Sequence, residues 1–293
     1  MKNISLFFRD SKPFSQLVGL LFLFVMGFIL ALGVQMLFPA GYDTPASIRL
    51  SLVSQCFAQL LMFLLPAVLF TMLYQGGGKC LALDFSGRKW LLAGVAVVIF
   101  LLLVPINDWL TWWNDHWDLA SLEATMRKMS NASKEAVERM LSLTAIGELV
   151  LQLFVVALIP AVCEEMFFRG ALQQLFVRWF GNNHVAIIVT ALVFSLAHGD
   201  LYGLVPRFVL GLLLGYLFFF SGSMLVNVCA HFFNNAIIVL LYFFYHKGTL
   251  AMSPDAPLQM PWYTTLFCTL AAAILFVQYF VKNGKKDTPE HSI

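Results

Sequence analysis

Residues 162–170 read VCEEMFFRG, two adjacent glutamates followed by an arginine at the end of the long apolar run LTAIGELVLQLFVVALIPA. On a helix Glu165 and Arg169 stand four residues apart on one face, with the acid first, which is the favoured order for a pair. Glu164 is turned about 100° from Glu165. Arg169 can therefore neutralise Glu165 while Glu164 stays available, which makes Glu164 the candidate reactive carboxylate. A charge in hydrocarbon costs several kcal/mol, so acids placed there call for a purpose. Two further polar insertions follow. The stretch IIVTALVFSLAHGD carries His198 one turn after Phe194. The stretch MLVNVCAHFFNNAIIVLL carries Asn227, His231 and Asn235 at successive i, i+4 positions, with Asn234 beside them. A base, two imidazoles and amide donors are the inventory of a hydrolytic site. Each insertion also has a plainer reading, a Glu–Arg pair locking two helices or a lone His or Asn bonding a neighbouring helix. It is their occurrence in three consecutive regions that favours chemistry.

Two nucleophiles lie nearby. Ser195 precedes His198 by three residues and Cys163 abuts Glu164, but neither belongs to a full nucleophile–base–orienter set, and both read as packing residues. The five cysteines, Cys56, Cys80, Cys163, Cys229 and Cys268, form no C-x-x-C pair and imply neither a disulfide framework nor a thiolate zinc site.

The elements that must hold these groups are membrane helices. Of 293 residues 60% are hydrophobic and only 12% charged, about half the charge of a soluble domain. The expected fold is all-α, a polytopic bundle of about eight transmembrane helices over 17–38, 50–74, 90–106, 145–163, 184–200, 204–220, 223–245 and 262–281. The fourth can run on through the glutamates to Phe180. The first is too long for a signal peptide's apolar region and lacks a cleavage site, so it is expected to stay as a span. Lys2, Arg9, Lys12, Lys79, Arg88, Lys89, Arg178, Lys282, Lys285 and Lys286 all fall on one side of an eight-span chain, which puts both termini in the cytoplasm. The third loop, with Asp108, Asp115, Asp118 and Glu123, opens with the aromatic cluster WLTWWNDHW. It continues with Leu119, Leu122, Met126 and Met129 at helical spacing. This predicts an amphipathic surface helix, or an extramembrane helix packed on the bundle. A net charge of +2 gives no argument for nucleic acid as a partner; the lipid bilayer is the partner implied.

Glu164-Glu165-x-x-x-Arg169, Phe194-x-x-x-His198 and His231-x-x-x-Asn235 resemble, in order, the three motifs of the CPBP family of intramembrane proteases (CAAX protease and bacteriocin-processing, or Abi), over about 145–245. The resemblance implies an eight-helix membrane endopeptidase acting on a protein or peptide substrate in or at the bacterial-type inner membrane. Glu164 and His198 would activate water, and His231 with Asn235 would stabilise the oxyanion. The chain then divides into N-terminal helices and loop (1–143), a catalytic core (144–246) and a last helix with a basic tail (247–293). Some relatives cut prenylated CaaX peptides; nothing in this chain selects them. A metal version competes, since Glu164, His198 and His231 make a three-ligand set with an open position and zinc is the first candidate. No H-E-x-x-H is present. The cofactor expectation stays open between none and one divalent metal, with a lean to none. The alternatives from other classes are a non-enzymatic scaffold or bacteriocin-immunity-type factor, and a proton-coupled transporter, which the lack of inverted repeats disfavours.

Overall fold

The computed structural model describes residues 10–38, 41–74, 86–258 and 260–282. Lys2, Arg9, Lys79, Cys80, Lys285 and Lys286 lie outside them. Every regular element among the described residues is a helix: α1 (Pro13–Leu37), α2 (Pro45–Tyr74), α3 (Gly87–Leu102), α4 (Val104–Asp115), α5 (Glu123–Met140), α6 (Ile146–Phe180), α7 (Asn183–Leu196), α8 (Leu204–Ser221), α9 (Met224–His246) and α10 (Trp262–Val281). Local chemistry sets the boundaries. Thr44 and Ser47 form a reciprocal cap ahead of Pro45. At the α6–α7 corner Gly181 takes a left-handed φ of 62°, and Asn182 Oδ1 accepts from the N–H of His184 (2.9 Å) and Val185 (3.2 Å). Gly222 (φ 59°) turns α8 into α9 in the same way. Both corners use the residue type that reaches φ > 0 without a Cβ penalty.

Two long helices widen just ahead of a proline. The π-helical turns Leu60–Leu64 and Leu153–Leu158 precede Pro66 and Pro160, whose rings exclude the normal bond to the carbonyl four residues back. A third widened stretch, Met166–Gln173, follows the two glutamates directly.

Among the described residues six helices are long and apolar enough to cross a bilayer, seven if α3 and α4, bent 48° at Leu103, count as one span. Their apolar surface faces outward (Phe22 is 64% exposed and Phe267 72%), as lipid contact requires. The protein is an integral membrane protein. The remaining predicted span differs. α7 ends at Leu196, and its 14 residues reach only about 21 Å, short of the ~30 Å hydrocarbon core. The chain leaves the helix at Gly199 (φ 68°), and the Asp200 side chain accepts from Tyr202 N to open the next turn. His198 is consequently a loop residue.

The aromatic cluster of the third loop belongs to α4, where Trp109, Trp112 and Trp113 are about half exposed. The expected amphipathic helix is α5. Leu122 and Met129 are exposed while Leu119 and Met126 are half-buried. Arg127 ties α5 back to the bundle, bonding Asp115 (3.0 Å) and lying 3.7 Å over the Tyr202 ring. Buried Asn114 bonds the Leu201 carbonyl (3.0 Å) and the Val205 N–H (2.8 Å). The loop after His198 is thus clamped from above.

The two largest of four apolar clusters among the described residues flank the site. One joins α1, α2, α6 and α7 through Leu20, Phe63, Phe70, Phe167, Phe168 and Phe194. The other joins α3, α8, α9 and α10 through Leu92, Ile99, Leu214, Val226 and Phe280. A polar layer lies at the seam between them.

Candidate active site

The layer is built outward from Arg169, a charged side chain with no exposure at all. Its Nη1 donates to Glu165 Oε1 (2.8 Å), its Nη2 donates to the Gly211 carbonyl (3.1 Å), and the guanidinium sits 4.9 Å from the Phe194 ring. Glu165, also fully buried, takes two more partners from α9. Asn227 Nδ2 donates to its Oε2 (3.0 Å), and His231 Nδ1 lies 2.8 Å from its Oε1. A carboxylate holding Arg, His and Asn at once is satisfied and fixed, as a buried charge must be.

Backbone carbonyls of α8 complete the layer. Asn227 Nδ2 also donates to Leu214 O (2.7 Å), and Gln173 Nε2 donates to Gly215 O (3.3 Å). These carbonyls come within reach because Gly211 and Gly215, spaced as in G-x-x-x-G, let α8 lie flat on α7. A Cβ on Gly211 would stand 3.1 Å from Ala191, and one on Gly215 would stand 2.7 Å from Ile187.

Glu164 is held differently. It is 6% exposed, with Gln59 Nε2 of α2 3.5 Å from its Oε1 and His231 Nε2 3.9 Å from its Oε2. The His231 ring therefore stands between the two glutamates, one nitrogen on each side. Since Nδ1 faces a carboxylate already paired with Arg169, it carries a hydrogen, and Nε2 is the nitrogen free to act toward Glu164.

Phe194 links the second histidine to this group. Its ring centroid is 4.9 Å from His198 and 6.1 Å from His231. His198 Nδ1 lies 2.9 Å from the Phe194 carbonyl, which fixes that nitrogen as the donor and leaves Nε2 as acceptor. Phe194 lies eleven residues into α7 and His231 seven into α9, so the two helices are offset by about four residues, ~6 Å. This stagger brings together groups that straight, level helices would place at different depths. Asn235 shares the α9 face with Asn227 and His231, and its Oδ1 accepts from Asn234 Nδ2 (3.3 Å). Cys163 is buried beside Glu164, and Ser195 Oγ donates to Leu204 O (2.5 Å).

Residues 146–237 match the family model described as type II CAAX prenyl endopeptidase Rce1-like. That model is one of the CPBP, or Abi, protease family, to which this segment, under a third of the chain, is similar. No curated protein and no solved structure matches the chain. The CPBP segment contains all the motif residues, from Glu164 to Asn235, and the α8 carbonyls; it leaves α1 and α2 outside.

As for metal, the donors Glu164, His198 and His231 do not converge. Among the described residues no three His, Cys, Asp or Glu side chains form a metal-holding group. Sequence reading missed Gln59 and Gln173 and left Asn227 among the unassigned polar residues. The available signal was an amide inside an otherwise apolar span, which in a membrane protein marks a partner across the bundle.

Proposed function

We propose that the protein is an intramembrane endopeptidase that hydrolyses a peptide bond of a membrane-associated protein, with prenylated CaaX-type peptides as the first substrates to try. The observation that carries this reading is the His231 ring held between Glu165 and Glu164. Glu165, neutralised by Arg169, fixes the ring through Nδ1 and turns Nε2 to the carboxylate that is not committed elsewhere. When His231 carries both protons, Glu164, Glu165, Arg169 and His231 sum to zero charge, which suits a buried cluster.

In this mechanism a water held by Glu164, with the His198 Nε2 acceptor beside it, loses a proton to the Glu164 carboxylate as its oxygen adds to the scissile carbonyl carbon. The carbonyl oxygen becomes negative and receives the Nε2–H of protonated His231, with the Asn235 amide one turn further along the same face as second donor. Such donors act on charge that exists only in the transition state. The proton on Glu164 then passes to the amine nitrogen as the C–N bond breaks, giving a carboxylic acid and an amine. The steps are written with protein groups and water alone. If the short α7 is counted as a crossing beside the other seven, both termini fall on one face, and the positive charges near them make that face the cytoplasmic one in this reading.

The test is to incubate detergent-purified wild type and Glu164→Gln with a membrane proteome and with a farnesylated CaaX peptide. New peptide termini with wild type and none with Glu164→Gln support the proposal. Identical termini with both proteins reject it, and would favour a scaffold that uses the polar layer for packing.

A further inference from the structure

Between α1 and α2 lies a half-open cavity of about 240 Å³. Its walls are apolar, with Phe28 and Leu32 from α1 and Met62 from α2, but three glutamines are set into them: Gln35, Gln55 and Gln59. Three amides on one groove need an explanation in a surface that otherwise faces lipid. Gln59 joins this cavity to the site. It is nine-tenths buried, its Nε2 points at Glu164 Oε1 (3.5 Å), and its Oε1 finds no hydrogen-bond partner among the described residues. An ionised carboxylate only accepts, so the amide's acceptor end is the one left over.

We propose that this groove is the lateral entry for the substrate's peptide backbone, and that the glutamines are its hydrogen-bonding ladder. The inference rests on the peptidase reading and adds the route and the residues that hold the chain. A peptide bond can be attacked only in extended chain, and in hydrocarbon every N–H and C=O released from a helix must find a partner. A glutamine side chain supplies one donor pair and one acceptor, complementary to a peptide unit. Spacing agrees as well. Gln55 and Gln59, four residues apart on α2, are separated by about 6 Å along the helix. The groups on one edge of an extended chain recur every two residues, about 6.4–6.8 Å. A strand bonded to Gln55 would present its next peptide unit at Gln59, beside Glu164. An isoprenoid or acyl chain would need none of these amides, so the peptide is the occupant the lining selects.

The experiment measures binding and cleavage separately. A dansylated farnesyl-CaaX octapeptide is titrated into detergent-purified wild type, Gln35→Leu and Gln55→Leu, with farnesylcysteine methyl ester as the probe lacking a peptide chain. A second octapeptide carries backbone N-methyl groups on the residues flanking the scissile bond. Each glutamine substitution is expected to weaken octapeptide binding roughly three- to tenfold, the worth of one hydrogen bond, and to leave farnesylcysteine binding unchanged. The N-methylated peptide should bind wild type weakly and show no further loss with Gln55→Leu. Equal weakening of both probes would mean that the groove holds the lipid chain, and would overturn the proposal. Unchanged octapeptide binding in both variants, or no saturable octapeptide binding to wild type, overturns it too. Binding with the expected pattern but equal termini from wild type and Glu164→Gln would uphold the groove while rejecting the peptidase.

Discussion

Replacing Glu165 by glutamine removes a charge that three side chains share. Arg169 would then face the Gly211 carbonyl (3.1 Å) and a neutral amide oxygen in place of its carboxylate, with the Phe194 ring 4.9 Å away. Breaking one side of a buried ion pair costs about 3–5 kcal/mol because the other charge is stranded. With so little left around the guanidinium, Glu165→Gln should fall at the upper end. Arg169→Met is the milder lesion, because Glu165 retains His231 at 2.8 Å and Asn227 at 3.0 Å; about 3 kcal/mol is expected. The double variant removes both charges, and a buried pair exchanged for uncharged groups is often neutral. It should therefore be more stable than Glu165→Gln alone. Equilibrium unfolding in mixed dodecylmaltoside and dodecyl sulfate micelles, followed by circular dichroism, supplies the three values. Additive losses, with the double variant down by about 8 kcal/mol, would refute the argument that the two charges matter mainly to one another.

Glu164→Gln should abolish turnover while leaving the same unfolding curve within about 1 kcal/mol, since no ion pair of the kind that fixes Glu165 is broken; a loss of fold would show that Glu164 is structural. Asn235→Ala should lower kcat by roughly 10²–10³ with little change in KM. Asn234→Ala, which removes only the donor bonded to Asn235, should cost about two- to tenfold, and equal losses at both would point to packing. Gly215→Val should destabilise by about 1–3 kcal/mol by forcing α8 off α7, checked by the same unfolding assay. Stringent chelation should leave cleavage intact; stoichiometric zinc whose removal abolishes activity and whose return restores it would establish a metal enzyme.

Much of this architecture could be read from the sequence because hydrocarbon makes polar residues conspicuous. The Glu165–Arg169 pair follows from four-residue spacing on one helix, and it is present at 2.8 Å. The continuation of the fourth span to Phe180 followed from the lack of a breaker, and α6 does run unbroken to that residue. What escaped was everything decided between helices. Gln59 looked like one amide in an apolar run, and only the packing of α2 on α6 brings it to Glu164. The role of Gly211 and Gly215 depends on which helix they touch. The shortness of α7 depended on a loop clamped by Asn114 and Arg127, residues well upstream in the chain, with Asn114 standing 87 and 91 positions from its two partners. Asn235 shows the converse, because helical periodicity correctly put it on the His231 face while saying nothing about how far along that face the glutamates reach.

The pairing of Glu165 with Arg169 inside a single helix has a consequence for biogenesis. As α6 emerges during synthesis both partners are already present one turn apart, so the segment can enter the bilayer as a neutral dipole. The Gly211 carbonyl follows 42 residues later and His231 66 residues after Glu165. Glu164 has no such companion in its own helix, but Gln59 was made 105 residues earlier and waits in α2. Insertion thus proceeds with each acid accompanied at every stage, and the reactive arrangement closes only when α9, the last contributor, arrives.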